Sequence, residues 1–108
     1  MSGGYFDYDQ YRIGGIADSI EYLIETNNSN EVNEWGDPIG YRFAEETIED
    51  FKTAVHILRL AEVYANRIDW LVSGDDGEDS FNTRLNEEMK IVNQKMVKMY
   101  NEKNNEDI

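Results

Sequence analysis

Cysteine is absent from this 108-residue chain, which excludes disulfides, thiolate metal sites and cysteine nucleophiles and fits a reducing compartment. Histidine occurs once, at His56, and proline once, at Pro38. A lone imidazole has no second ligand at helical spacing and no nucleophile beside it, so neither a zinc centre nor a nucleophilic triad is indicated. No run approaches the 18 or so apolar residues of a membrane helix, and the opening MSGGYFDYDQYR has no basic segment leading into an apolar one. The expectation is a cytoplasmic protein with no membrane contact. Basic residues are scarce as well: ten face 23 acidic ones, for a net charge of -13. Phosphate contacts need clustered Lys and Arg, so direct nucleic-acid binding is not expected.

What the chain does have is acid, unevenly placed. Its first 50 residues hold twelve carboxylates against Arg12 and Arg42, a balance of -10, whereas residues 81–108 match five acids with five bases. Net charge governs solubility, steering and association more than fold, so a field this one-sided bears on partners. The hydrophobic fraction of 40%, with two Trp, seven Tyr and four Phe, is enough for a core and argues against a disordered acidic tail. The length suits one domain.

Three helical stretches are readable. Ile13, Ile16, Ile20, Leu23 and Ile24 line one face over residues 8–26. Gly14 and Gly15 interrupt that pattern, so either the helix begins after them or another backbone element approaches there. Over residues 44–72, Phe51, Val55, Leu58, Ala65, Ile68 and Val72 share a stripe, with acids in the first turns and Ser73-Gly74 as a stop. Phe81, Leu85, Met89, Val92, Met96 and Met99 mark a third helix, with Asp79 or Ser80 as its expected cap. The prediction is an all-α fold, a small antiparallel bundle of three main helices with the central one longest. It forms a single domain over residues 1–108, with flexible ends at about 1–7 and 102–108. Residues 27–41 hold Pro38, two glycines and no apolar period, a long surface loop that either tucks Trp35 onto the core or presents it.

Carboxylate pairs are the best enzymatic candidates. Asp18 with Glu21, Glu21 with Glu25, Glu46 with Glu49 and Glu45 with Glu49 each share a helix face. Asp18-x-x-Glu21 and Glu46-x-x-Glu49 resemble the paired ExxE and ExxD motifs that hold Mg²⁺ in all-α nucleotide pyrophosphohydrolases. The chain departs from that pattern, since Glu62 and Asp69 are seven apart and no lysine cluster follows. The acidic turn at residues 75–79 lacks the EF-hand spacing. Arg67 and Arg84 are placed to pair with it. No catalytic residue, metal ligand or cofactor is therefore assigned, and the chain is not expected to be an enzyme.

The candidate partner-binding residues are aromatic and acidic together: Tyr5, Asp7, Tyr8, Asp9 and Tyr11 at the start, and Glu31, Glu34, Trp35 and Asp37 in the loop. Glu45, Glu46, Glu49 and Asp50 follow at the head of the central helix. Tyr and Trp dominate interface hot spots, and carboxylates about 5–6 Å apart along a helix face form an array comparable to a phosphate backbone.

Two stretches, Gly3-Gly4-Tyr5-Phe6-Asp7-Tyr8 with Gln10-Tyr11-Arg12-Ile13, and Arg67-Ile68-Asp69-Trp70-Leu71 with Ser73-Gly74-Asp75-Asp76-Gly77, resemble small acidic proteins encoded by bacteriophages and prophages. The resemblance covers about a fifth of the chain and implies a setting, the cytoplasm of a bacterial host, without an activity.

The expected function is an interaction protein that inhibits a host nucleic-acid-binding defence factor by presenting a DNA-mimicking negative surface to its basic groove. One alternative is a sponge that holds a nucleotide signal in an aromatic pocket at a dimer interface; another is the Mg²⁺-dependent hydrolase. Homodimerisation is expected through the third helix, where Met89, Met96 and Met99 with Ile91, Val97 and Tyr100 leave apolar residues on more than one face.

Overall fold

A computed structural model describes residues 4–106, with side chains as far as residue 98, and shows three helices. The all-α prediction holds: among the described residues the only β feature is an isolated bridge between Val32 and Pro38.

Helix α1 spans Gln10–Thr26 and runs straight through both glycines. Gly14 is buried where α1 crosses α2, and a Cβ there would run into the Glu62 carboxylate. Close approach is thus the reason for Gly14, while Gly15 faces open space. Helix α2 spans Glu45–Val72 and begins without a side-chain cap; Glu45 and Glu46 in its first turn favour the positive end of the helix dipole instead. Its 28 residues give a rod of about 42 Å. It stops where the Ser73 N–H bonds to Asp69 O at 3.0 Å and Gly74 takes a φ of 84°.

Helix α3 spans Glu78–Glu106, 29 residues against the 28 of α2, so the central helix, expected to be the longest, is not; α3 starts before the caps expected from sequence and takes in residues 102–106. Arg67 secures the α2–α3 turn through a hydrogen-bonded ion pair to Asp76 at 3.2 Å, with Glu88 at 3.2 Å from its Nε and the Trp70 ring 4.9 Å from its guanidinium carbon. Arg84, expected to help, is exposed with no ion pair among the described residues.

The helices form an open layer. Helix α2 lies in the middle with α1 and α3 antiparallel on its two sides, and among the described residues α1 and α3 do not meet. The Cα envelope measures 50 × 37 × 16 Å and the radius of gyration is 17.5 Å, where a compact chain of this length has about 13 Å. Burial is correspondingly thin: among the described residues only Ala17, Ile48 and Val55 are buried apolar side chains. No helix among the described residues is long and apolar enough to cross a membrane.

Candidate functional site

The loop between α1 and α2 is built from its base upward. Asn27, buried just past the end of α1, donates from Nδ2 to Phe43 O at 3.0 Å and accepts the Phe43 N–H at 2.9 Å. Its own carbonyl takes the Arg42 N–H at 2.9 Å. Gly40 passes so close to the backbone of Thr26 and Asn27 that no Cβ fits. These contacts close the loop like a clasp.

Above the clasp, the Asn33 N–H donates to Asp37 O at 2.8 Å, and Asn33 Oδ1 accepts from the N–H groups of Trp35 and Asp37 at 2.9 and 3.0 Å. Gly36 supplies the positive φ, 85°, that turns the chain. The tip therefore has a fixed shape, and it presents Trp35 with 77% of its surface exposed. Of the two fates open to this indole in the sequence, presentation is the one realised. Glu31, Glu34 and Asp37 are exposed around it, and Tyr41 stacks on Phe43 at 5.2 Å beneath. Glu45, Glu46 and Asp50 are exposed on the adjoining start of α2, whereas Glu49 is half-buried and pairs with Lys52 at 3.6 Å.

The aromatic entry forms a second cluster. Residues 4–9 make a turn pinned to the far end of α2, where Asp69 Oδ1 accepts the Phe6 N–H at 2.9 Å and Gly4 lies against the same carboxylate. Tyr5, Asp7, Tyr8, Asp9 and Tyr11 are all exposed there, with Tyr8 and Tyr11 stacked at 6.2 Å. The turn is described from Gly4 onward; of the end expected to be flexible, residues 1–3 lie outside the described residues.

The thirteen residues singled out from sequence therefore make two clusters. Antiparallel packing of α1 on α2 puts them at opposite ends of the layer, separated by the 17 residues of α1, about 25 Å. The acidic turn at residues 75–79 lies at the same end of α2 as the aromatic cluster, which sequence order could not show.

Between the ends lies a trough that the sequence did not reveal. Its floor is the α2 face carrying Lys52, His56, Arg59 and Val63; Glu21 of α1 and Val92, Lys95 and Met96 of α3 form its walls around a cavity of about 490 Å³. Four of the chain's few basic groups thus gather in one place, and His56 Nδ1 is buried there without a hydrogen-bond partner. Spacing of 52, 56, 59 and 63 along one helix face was the signal available. Arg59 bonds Asp18 at 2.6 Å, Glu21 at 3.0 Å and Gly14 O at 3.2 Å. Burial alone lowers its pKa, but the hydrogen bonds and charges of Asp18 and Glu21 outweigh this and hold it above the ordinary value. The Asp18–Glu21 pair is thereby engaged by a cation. Among the described residues no three His, Asp or Glu side chains converge as a metal site would require.

No protein-family model, curated protein sequence or solved structure matches this chain.

Proposed function

We propose that the chain is an interaction protein of the phage type that occupies the basic, nucleic-acid-binding groove of a host defence protein and inhibits it in place of DNA. The observation that carries this reading is Trp35. An indole held out to solvent by a hydrogen-bonded loop, ringed by Glu31, Glu34 and Asp37, costs apolar exposure that a purely solubilising surface does not need. Carboxylates bring the basic partner in and set its register, and the indole provides the desolvated anchor. Glu45, Glu46 and Asp50 extend the negative array along α2 at the spacing of successive helix positions.

The test is capture from a bacterial lysate at low and high salt, with duplex DNA as competitor. The expected partner is basic, released by salt and displaced by DNA. Reversing Glu45, Glu46 and Asp50 to lysine should weaken capture at least tenfold with helicity unchanged. Equal capture by that variant, or indifference to DNA, sinks the reading.

A second reading has one observation in its favour, the cations of the trough. Lys52, His56, Arg59 and Lys95 suit a phosphate-bearing small molecule, as a nucleotide sponge would hold. The lining carries no Phe, Tyr or Trp, and His56 is its one aromatic ring, so such a ligand is gripped mainly by its phosphates. A thermal shift with cyclic nucleotides, lost in Lys95→Glu, would favour it; no shift removes it.

A further inference from the structure

We infer that the chain pairs with a second copy of itself, antiparallel, through the back of α2, the side turned away from the trough. The chain exposes 7727 Å², whereas a compact monomer of 12.6 kDa exposes about 6,200 Å². The surplus of about 1,500 Å² per chain, doubled across two copies, falls within the range of obligate homodimers, about 2,000–5,000 Å². With three buried apolar side chains among its described residues, a single copy has too little core to account for its hydrophobic content.

Ala54, Ile57, Ala61, Tyr64, Ile68 and Leu71 recur at three, four, three, four and three, the a/d spacing of a coiled-coil seam sustained over the exposed side of α2. Ile57 is 58% exposed, Tyr64 43% and Ile68 37%, so the seam is open. On α1, Ile16 is also exposed and falls half a turn round from Asp18, the residue that bonds the trough's Arg59.

The choice of a second copy as occupant follows from charge and size. In a chain with 23 acids, the seam and its flanking positions Thr53, Leu58, Leu60, Ala65, Arg67 and Val72 carry no carboxylate, since Glu62 and Asp69 lie off this stripe; their one charge, Arg67, is turned into Asp76 and Glu88. A basic partner would find nothing to pair with there, whereas an identical surface meets no like charge. Antiparallel alignment about a point between Ala61 and Tyr64 sets small against large: Ala61 opposite Tyr64 of the copy, Ala54 opposite Leu71, and Ile57 opposite Ile68. Parallel alignment would instead set alanine on alanine and tyrosine on tyrosine.

The pairing has a consequence for the two acidic clusters. Antiparallel copies bring the Trp35 end of one chain towards the Tyr5 end of the other, at each end of the dimer. The site left divided in one chain is assembled from two. It also brings negative ends together, so salt strengthens the dimer while weakening any complex with a basic partner. The inference stands without the proposed function, and its test needs no partner.

Sedimentation of the native chain at micromolar concentration should give twice 12.6 kDa, more completely at high salt. Because the chain has no cysteine, single thiols report register: oxidation of an equal mixture of Ala61→Cys and Tyr64→Cys chains should cross-link the two to each other, and neither alone to itself. A 12.6 kDa species, cross-linking within each single preparation, or a dimer that yields no cross-link overturns the proposal.

Discussion

The Phe6 N–H donates to Asp69 Oδ1 at 2.9 Å, and this bond joins the entry of the chain to the end of its central helix 63 residues later. Asp69 is 7% exposed, so its carboxylate is held in a protein environment by that backbone donor and by the close pass of Gly4. Asp69→Ala leaves a partly buried N–H without its acceptor and is expected to cost about 1–3 kcal/mol. Asp69→Asn keeps an acceptor oxygen and should lose less. Urea denaturation, with amide exchange at Phe6, measures both; equal stability of the alanine variant and the native chain would show that the bond does not hold the turn.

Gly14 and Gly15 are adjacent in one helix yet should answer oppositely to the same change. Gly15 has open space about it, so Gly15→Ala gains helix propensity and should stabilise by about 0.5–1 kcal/mol. At Gly14 the added methyl meets the Glu62 carboxylate, which must swing away, so the gain should shrink or reverse. In a Glu62→Ala background the difference between the two sites should close. Thermal unfolding of the four chains decides it, and a difference that persists without Glu62 would place the obstruction elsewhere.

The loop clasp makes a harder demand. At Gly40 the neighbours of an added Cβ are backbone atoms of Thr26 and Asn27, which cannot rotate out of the way. Gly40→Ala is expected to cost about 1–3 kcal/mol through this overpacking. Asn27→Ala, which removes both side-chain bonds to Phe43, should cost a similar amount. Both should also broaden the Trp35 environment, read as a drop in indole fluorescence anisotropy; stability changes without any change at Trp35 would mean that the clasp does not shape the tip.

These three tests also mark where the sequence was legible. The helices were readable because Ile13, Ile20 and Leu23, or Val55 and Leu58, repeat at the helical period whatever lies beside them. Gly14 could be flagged but not explained, since its reason is a carboxylate 48 residues away. Asn27 looked like ordinary loop composition, because its two bonds to Phe43 exist only once the loop closes. Of the thirteen acidic and aromatic candidates twelve are exposed and Glu49 is half-buried; their division into two clusters depended on which way α1 folds back on α2. On α3, Ile91 and Val97 are exposed, while Met99 and Tyr100 lie outside the described side chains; the seam we infer lies instead on α2, where exposure depends on α1 and α3 leaving one side free.

Trp35 gives the sharpest separation of stability from recognition. The residue is 77% exposed, and the bonds that shape its loop are made by its backbone N–H and by Asn33, not by the ring. Trp35→Ala should therefore change unfolding free energy by no more than about 0.5 kcal/mol, as for other surface substitutions. If the indole anchors a partner, the same change should cost about 2 kcal/mol or more of binding, roughly thirtyfold in affinity, mainly through faster dissociation. Charge reversal at Glu45, Glu46 and Asp50 should act differently, by slowing association and flattening the salt dependence. Measuring both rates for both variants against the captured partner separates anchor from steering. If Trp35→Ala leaves dissociation untouched while charge reversal abolishes binding, the loop is a bystander and the carboxylates of α2 alone carry the contact.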